Sequence, residues 1–383
     1  MTTEASGSGS PGEGSSSQTY RAALIGCGSI GAAHAQAYVG AEGVELVAAA
    51  DVVPVRTQAF CERFGVARTY GDYRQMLDQE RPDIVSVCTW HPLHAEMTIA
   101  AAARKPRVIL CEKPLATCLG EAETMVIACQ RNGVKLATAF QRRFTAAWTK
   151  ARELVASGAV GRVERVSHTR LTGLLNATSH GFDGMRYVLG DPKVEWVFAQ
   201  VERHTDRYER AVRSEDCIGG FLLFEGGIQG TFQTDMVTPQ TWAFVQGTEG
   251  MLDFDEGRVR LFNAETRGWK EVELPEAGDP MVAQARELVD WIEGRCVHRN
   301  QHENGMWSMQ MMMGAYESAR CHERVRLPMA TRANPLDLMV ESGHLPVQRP
   351  GRYDIRAFLL SGEEMWLAQG RHCSAPPPTQ GTP

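Results

Sequence analysis

The chain has no closely spaced cysteine pair and no long uninterrupted apolar segment. Its 10 cysteines are scattered singly, and two of them, Cys88 and Cys111, lie within apolar, strand-like runs. This distribution is typical of reduced, buried thiols in a cytoplasmic protein and argues against a disulfide scaffold or a metal site. Charged residues or glycine interrupt every apolar run before it reaches the length of a membrane span, so we expect no membrane partner.

The chain also lacks a strong excess of charge of either sign. It has 40 basic and 46 acidic residues, and no basic cluster that would indicate nucleic-acid binding. Residues 1–19 are rich in Gly, Ser and Thr without the basic start and apolar core of a secretion signal, and residues 374–383 are rich in proline. We expect both ends to be disordered tails. The chain between them is too long for one simple core, which favours two domains.

What the sequence does contain is a glycine-rich turn between an uncharged apolar segment and a helix. Gly26, Gly28 and Gly31 have the G-x-G-x-x-G spacing. The first allows a tight turn, the second lets the backbone approach a pyrophosphate, and the third lets the helix lie close to the strand. A purely structural turn is the alternative, but a strand, a helix and a second strand follow in register. We therefore predict a dinucleotide site that also includes Ser29 and Ile30, at the N-terminus of the helix.

Asp51 follows the second apolar strand of this unit, 20 residues after Gly31. A carboxylate in this position accepts hydrogen bonds from the ribose hydroxyls, and its charge would repel the 2′-phosphate of NADP. The sequence therefore predicts NAD as the cofactor, with NADP less favoured. Arg56 is a nearby cation that would weaken this preference.

Strand and helix patterns alternate six times within residues 20–140. This pattern predicts a dinucleotide-binding Rossmann domain with a doubly wound parallel sheet, in which ligands bind beyond the carboxyl ends of the strands. The predicted helices are residues 54–64, 73–79, 95–104 and 118–131, and the later strands are residues 83–88, 107–111 and 134–139. Polar residues that follow these strands are candidates for the site: Thr89, His91, His94, Glu112, Lys113 and Arg142.

The pattern changes in residues 141–330. Alternating segments at residues 163–170, 217–224, 228–236, 242–245 and 251–254 predict strands, and residues 173–189, 281–293 and 305–323 predict helices. We expect an α+β domain for substrate binding and oligomerisation, with a mostly antiparallel, open-faced sheet. Helices would cover one face, and a second subunit would cover the other in a homodimer or homotetramer. Residues 331–383 form a C-terminal extension whose role is open.

Several motifs in this order resemble those of the Gfo/Idh/MocA family, which includes glucose-fructose oxidoreductase and inositol 2-dehydrogenase. Residues 111–116 read C-E-K-P-L-A and match the family's E-K-P motif, and the other matches include Thr89 with His94, R-R-F at residues 142–144 and G-T-E-G at residues 247–250. The resemblance covers residues 21 to about 328. It implies a Rossmann domain followed by an open-faced substrate domain, oxidation or reduction at a carbinol of a sugar or cyclitol, and frequent dimers or tetramers.

Hydride removal from a secondary alcohol requires that the hydroxyl proton also leaves, so the site needs a base and a group that stabilises the oxygen. Lys113 follows a strand and could hold the alcohol oxygen; pairing with Glu112 at the surface is the alternative. His180 is the second catalytic candidate, because imidazole titrates near neutral pH. Its alternative is a structural role at the domain junction.

Asn176 lies four residues before His180, where many relatives have aspartate. An amide cannot accept a proton, but it can orient the histidine or bind a substrate hydroxyl, so we assign Asn176 to the catalytic and substrate-binding group. Asp183 could supply the missing carboxylate, or it could pair with Arg186. Arg142 is a candidate substrate ligand, although an arginine here could instead clamp the two domains together.

These residues favour an NAD(P)-dependent oxidoreductase acting on CH–OH groups of a sugar, a sugar derivative or a cyclitol. Two alternatives remain open. A glycosidase-type member of the family would oxidise its sugar only transiently and would release no NADH. A nucleotide-binding regulator would keep the fold without turnover.

Overall fold

The computed structural model describes residues 18–171, 173–235 and 242–354, and these ranges contain two large sheets and a small one. The predicted tails fall largely outside these ranges, as do the end of the strand predicted at residues 228–236 and the C-terminal part of the extension. The first sheet lies in the N-terminal part of the chain, and the second, larger sheet follows it.

The first sheet has six parallel strands in the order β3-β2-β1-β4-β5-β6. They are β1 Tyr20–Ile25, β2 Val44–Ala50, β3 Arg68–Tyr70, β4 Ile84–Val87, β5 Val108–Cys111 and β6 Lys135–Thr138. Strands β4 and β5 are buried along their whole length, as expected for a parallel sheet with helices on both faces. The predicted doubly wound Rossmann domain is confirmed.

The connecting helices begin and end where local chemistry allows. They are α1 Ser29–Gly40, α2 Pro54–Phe64, α3 Tyr73–Glu80, α4 His94–Ala102 and α5 Leu119–Asn132. Helix α2 has the predicted bounds, because proline suits its first turn and Gly65 adopts φ 67° at its end. Asp72 caps α3 by accepting a hydrogen bond from the Arg74 N–H.

The second part of the chain alternates long strands with helices. Its strands are β7 Val163–Leu171, β8 Val194–Glu202, β9 Thr205–Glu209, β10 Val212–Arg213, β11 Cys217–Phe224, β12 Gln229–Asp235, β13 Trp242–Gly247, β14 Gly250–Phe254, β15 Val259–Asn263, β16 Lys270–Glu271, β17 Val325–Arg326 and β18 Arg349–Asp354. Its helices are α6 Ala146–Ala156, α7 Ser179–Val188, α8 Pro280–Ile292, α9 His302–Cys321 and α10 Pro335–Glu341.

Nine of these strands form the second sheet, in the order β16-β15-β14-β13-β7-β12-β11-β8-β17. Within the described strands of this sheet, only the β7–β12 pair is parallel, so the prediction of a mostly antiparallel sheet is confirmed. Helices α7 and α9 cover one face. On the other face Phe198 and Phe221 pair across β8 and β11 and remain 36% and 56% exposed.

Two features differ from the sequence-based expectation. The segment predicted as one helix over residues 173–189 begins as a π-helical turn, Leu174–Thr178, before α7. Helix α8 packs its Ala285 and Leu288 into the core around β1, so the chain returns to the first sheet after completing most of the second. Both features lie at the junction of the two domains.

The C-terminal extension forms part of a third, three-stranded sheet in the order β10-β9-β18. Strands β9 and β10 are a hairpin, and β18 from the extension pairs with β9 in parallel. Arg213 of this hairpin bonds Asp337 and Glu341 of α10 at 2.8 and 3.1 Å. The extension therefore braces this hairpin against the body of the protein.

Candidate active site

The glycine turn leaves open space in front of a helix N-terminus. Gly26 has φ 104°, and a Cβ there would lie 2.6 Å from the carbonyl oxygen of Cys88; a Cβ on Gly31 would lie 2.0 Å from that of Gly26. A Cβ on Gly28 would meet nothing within 4 Å among the described residues, and no described side chain caps α1 there. The first two glycines are needed for packing, whereas the space at Gly28 fits a pyrophosphate.

Asp51 lies at the carboxyl end of β2 beside this turn. Its Oδ2 accepts a hydrogen bond from the Cys27 N–H at 2.8 Å, and its Oδ1 accepts one from the Val53 N–H at 2.9 Å. These two bonds fix the half-buried carboxylate at the edge of the turn. In the first turn of α1, Ser29 is exposed and Ile30 is half-buried. The set fits the ribose and pyrophosphate of NAD.

The loop after β5 is held by a buried hydrogen bond between Glu112 and His34. Glu112 is 5% exposed, and as a carboxylate it accepts hydrogen bonds from His34 Nε2 at 3.0 Å and from the Lys113 N–H at 3.1 Å. Burial alone would raise the pKa of Glu112, but the hydrogen bond from His34 and the charges of His34 and Lys113 together lower it. Glu112 therefore acts as an anion that fixes the loop carrying Lys113.

Lys113 joins the two domains. Its Nζ donates hydrogen bonds to the backbone oxygen of Asn176 at 3.2 Å and to Oδ1 of the same residue at 2.9 Å. Asn176 belongs to the π-helical turn before α7, whereas Lys113 follows β5 of the parallel sheet. Two sequence-predicted site residues thus meet at the carboxyl edge of that sheet.

His180 lies in the first turn of α7 and is 5% exposed. Its ring meets the ring of Phe140 edge to face, with centroids 5.9 Å apart. Since Phe140 lies two residues after the end of β6, the imidazole lies at the same edge of the sheet as Lys113, which lies two residues after the end of β5. The structure joins Lys113 to Asn176 and places His180, four residues further along the chain, against Phe140.

Of the residues after β4, some support the fold and others lie beside the candidate site. His94 is fully buried, and its ring nitrogens lie 2.8 Å from the carbonyl oxygen of Pro114 and 3.1 Å from that of Thr89. Burial lowers the pKa of His94 although both backbone hydrogen bonds oppose this shift, and a neutral ring has one N–H, so it donates to one of the two carbonyl oxygens at a time. Thr89 lies beside Gly26, and His91 contacts His94 edge to face at 5.8 Å. His94 therefore supports the loop and does not line the cofactor space directly.

Asp183 forms a buried ion pair with Arg143, not with Arg186, which was one of the two possibilities from the sequence. Both of its oxygens accept hydrogen bonds from Arg143, at 2.7 to 3.0 Å, and the two side chains are 2% and 1% exposed. Arg143 also bonds Asp191 at 2.8 Å. Arg186, the partner suggested by sequence, instead bonds Asn304 at 2.9 Å. Asp183 is thus held in a clamp between segments and does not face a substrate.

Arg142 has a different partner from Arg143. It lies in the 3-10 turn Gln141–Phe144 after β6 and pairs with Glu256, whose side chain is 57% exposed. Of the two adjacent arginines, Arg143 is the clamp, whereas Arg142 is paired near the surface. Arg142 therefore remains the candidate for contact with a substrate.

Two carboxylates of the site were not found from the sequence. Glu209, at the tip of the β9–β10 hairpin, is 3% exposed, and its Oε1 accepts a hydrogen bond from Asn176 Nδ2 at 2.5 Å. Glu215 accepts hydrogen bonds from the backbone N–H groups of Gly173 and Leu174 at 3.1 and 2.7 Å and so fixes the start of the π-helical turn. No local motif in the sequence marks Glu209.

Two further findings, on metal sites and on membrane-spanning helices, apply to the described ranges. No group of three or more His, Cys, Asp or Glu side chains there is arranged to hold a metal ion. None of the helices described is both long and apolar enough to cross a bilayer.

Comparison with known proteins assigns both domains. The family model described as the oxidoreductase family with an NAD-binding Rossmann fold matches residues 20–140, and the GFO/IDH/MocA C-terminal domain model matches residues 169–253. The chain is 30% identical over 273 residues to myo-inositol 2-dehydrogenase of Thermotoga maritima, covering 68% of this chain and 79% of that protein. It is 29% identical over 324 residues to 1,5-anhydro-D-fructose reductase of Ensifer adhaerens, covering 77% and 95%.

Solved structures share the fold. An oxidoreductase from Agrobacterium radiobacter, solved in complex with NAD⁺, L-tartaric acid and magnesium, superposes with a TM-score of 0.71 at 21% identity, covering 81% of this chain and 98% of that one. The predicted family and NAD-binding Rossmann domain are confirmed. The chain belongs to the GFO/IDH/MocA family of NAD(P)-dependent oxidoreductases.

Proposed function

We propose that the protein transfers hydride between NAD and a secondary alcohol carbon of a sugar, a sugar derivative or a cyclitol. The observation that carries this proposal is the contact of Lys113 Nζ with Asn176 at the junction of the two domains. The relatives named for myo-inositol and 1,5-anhydro-D-fructose support this class of substrate.

Each residue at the junction has a chemical role in this proposal. The ammonium group of Lys113 holds the substrate oxygen and stabilises the negative charge that develops on it. His180 accepts the hydroxyl proton during oxidation and returns it during reduction. Asn176 orients Lys113 and donates or accepts a hydrogen bond with a neighbouring hydroxyl. Bound NAD⁺ supplies the hydride acceptor.

The cofactor would be held by the glycine turn and by Asp51. Open space at Gly28 and the unpaired N–H groups at the start of α1 favour the pyrophosphate. The fixed carboxylate of Asp51 favours a free ribose 2′-hydroxyl, which supports NAD over NADP. Of the other residues predicted to bind the cofactor, Thr89 and His91 lie beside the site, whereas His94 and Glu112 act through the loops that they hold.

The test is a panel of sugars, sugar derivatives and cyclitols assayed for NADH formation with NAD⁺, and for NADH consumption with the corresponding ketones. NADH formed in proportion to oxidised product supports the proposal. Product with altered stereochemistry or cleaved glycosidic bonds but without net NADH would indicate transient oxidation. NAD binding without any product would indicate a regulator.

The same domain architecture suggests the assembly and location of the protein. The exposed pair Phe198 and Phe221 on the open face of the nine-stranded sheet supports a homodimer or homotetramer formed through that face. Nine cysteines lie in the described residues and carry free thiols, which fits a reducing compartment such as the cytoplasm. Light scattering of the purified protein, compared with a Phe221→Glu variant, tests the assembly.

A further inference from the structure

The π-helical turn at the junction contains an amide whose two ends face opposite charges. Asn176 Oδ1 accepts a hydrogen bond from Lys113 at 2.9 Å, and Asn176 Nδ2 donates one to Glu209 at 2.5 Å. The side chains of Asn176 and Glu209 are both nearly fully buried. Since an ammonium group only donates and a carboxylate only accepts, this arrangement admits one orientation of the amide.

The hairpin that carries Glu209 is built to keep this carboxylate in place. Strands β9 and β10 are joined by a two-residue turn, in which Arg210 and Ala211 have φ 50° and 65°. Such a turn normally uses glycine or asparagine, so surrounding contacts must hold it. Arg213 provides them by bonding α10 of the extension, while β18 pairs with β9.

We propose that Glu209 is a positioning residue for the reaction: through the Asn176 amide it orients the ammonium group of Lys113 and supplies the carboxylate that position 176 lacks. The inference rests on the proposed function, because it assigns Lys113 to the reacting oxygen. In this proposal Glu209 acts on Lys113 and does not contact the substrate.

Other ionisable groups lie in the same region and are kept constant in the experiments. His91 from the 3-10 turn after β4, Arg213 from β10 and Tyr316 from α9 line the same recess as Asn176 and Glu209. The Tyr316 hydroxyl donates a hydrogen bond to Glu215 at 2.6 Å. All three remain unchanged in the variants below, so a difference between variants reports on the Lys113–Asn176–Glu209 chain.

The main experiment exchanges the amide and the carboxylate. In Asn176→Asp a second carboxylate would lie at hydrogen-bond distance from Glu209, and the two charges would repel, so kcat should fall about tenfold or more. Glu209→Gln should also lower kcat about tenfold, because either amide can then flip. The double variant N176D/E209Q restores one amide and one carboxylate, and its kcat should return to within about threefold of wild type.

A second arm separates positioning from folding. With Asn176→Ala in the background, Glu209 has no amide to orient, so adding E209Q should leave kcat and the thermal midpoint unchanged. Glu202→Gln on the neighbouring strand β8, where the side chain is 65% exposed, serves as the control for loss of one negative charge. A further loss of folding or kcat on adding E209Q to N176A would assign Glu209 to folding and overturn the proposal.

A third readout needs no substrate. The fraction of Lys113 acylated by a small amine-reactive reagent is measured by peptide mass spectrometry as a function of pH. Loss of the Glu209 charge should lower the apparent pKa of Lys113 by about one unit in E209Q and by much less in E202Q. If this shift occurs without turnover on any substrate, the proposed function fails, whereas the orientation of Lys113 by Glu209 is supported. If E209Q and E202Q give the same curve, or the exchange variant does not recover kcat, the inference is wrong.

Discussion

Replacing Arg143 with methionine should destabilise the protein strongly, because this arginine is the partner of a buried carboxylate. Asp183 and Arg143 are 2% and 1% exposed and are joined by three contacts of 2.7 to 3.0 Å. Removing one member of a buried ion pair leaves an uncompensated charge, which costs about 3–5 kcal/mol. For a protein of this size, each kcal/mol corresponds to roughly 2 °C in the thermal midpoint.

Arg152 offers a matched control. It pairs with the same Asp191 that Arg143 contacts, and it stacks on the same ring, Tyr187, at 4.7 Å against 5.0 Å for Arg143. Its ion pair is about one-third exposed, so Arg152→Met should cost less than about 1 kcal/mol. The measurement is the thermal midpoint of both variants and of wild type, supported by chemical denaturation.

The cost should also depend on pH. Burial raises the pKa of Asp183, and the charge and hydrogen bonds of Arg143 oppose this effect. Without Arg143 the folded-state pKa rises further above the unfolded value, so the folded variant binds its proton more tightly. The difference in the free energy of unfolding between Arg143→Met and wild type should therefore be smallest below about pH 4. It should widen as the pH rises through the folded-state pKa of Asp183 in the variant.

A compensating substitution completes the test. In Arg143→Met with Asp183→Leu, both charges are replaced by apolar groups, so most of the lost stability should return. If Arg143→Met is no more destabilising than Arg152→Met, or if the double variant recovers nothing, the clamp does not carry the free energy that we assign to it.

Three further predictions concern the cofactor site and the hairpin. Asp51→Ala should lower kcat/KM for NAD about tenfold or more, because it removes the acceptor for the ribose hydroxyls. It should also reduce or reverse the preference for NAD over NADP, because it removes the charge that repels a 2′-phosphate. An unchanged ratio of kcat/KM with NAD to kcat/KM with NADP would refute the role of Asp51. Gly31→Ala should abolish NAD binding measured by calorimetry, since its Cβ would lie 2.0 Å from the Gly26 carbonyl oxygen; unaltered affinity would show that the turn is not the cofactor site. Arg213→Ala should free the hairpin from Asp337 and lower kcat several-fold while leaving the Kd for NAD unchanged; equal kcat values would show that the extension does not support the site.

The first domain follows closely from local sequence. Its helix α2 has the predicted bounds, because Pro54 and Gly65 fix both ends, and the predicted strands lie within one or two residues of those observed. Gly26 and Gly31 lie where a Cβ would meet backbone atoms, as predicted for a tight turn, whereas the pyrophosphate contact at Gly28 stays a prediction. This agreement arises because the βαβ unit is specified by contacts between residues that are near in sequence.

The second domain is less predictable because its contacts join residues that are far apart in sequence. The parallel pairing of β7 with β12 joins strands about 65 residues apart, and nothing local specifies its direction. The short strands β9, β10 and β18 depend on one another and on the extension. Helix α6 was not predicted, although it buries Ala147, Trp148 and Ala151 with helical spacing.

The candidate site shows the same division. Lys113, Asn176 and His180 were found because each lies in a motif or beside one. Glu209 was not, because its importance comes from a hydrogen bond to a residue 33 positions away. Sequence spacing suggested Arg186 as one possible partner of Asp183, whereas the fold brings in Arg143 from the junction.

The central claim is that Lys113 holds the oxygen of a secondary alcohol while hydride moves to NAD. The most direct measurement compares wild type with Lys113→Met for NADH formation on the best substrate of the panel, together with the Kd for NAD of each protein. We expect kcat to fall by about two orders of magnitude or more with an unchanged Kd, because the lost interaction acts on charge that develops during the reaction. Equal kcat values, or a loss confined to NAD affinity, would contradict the account.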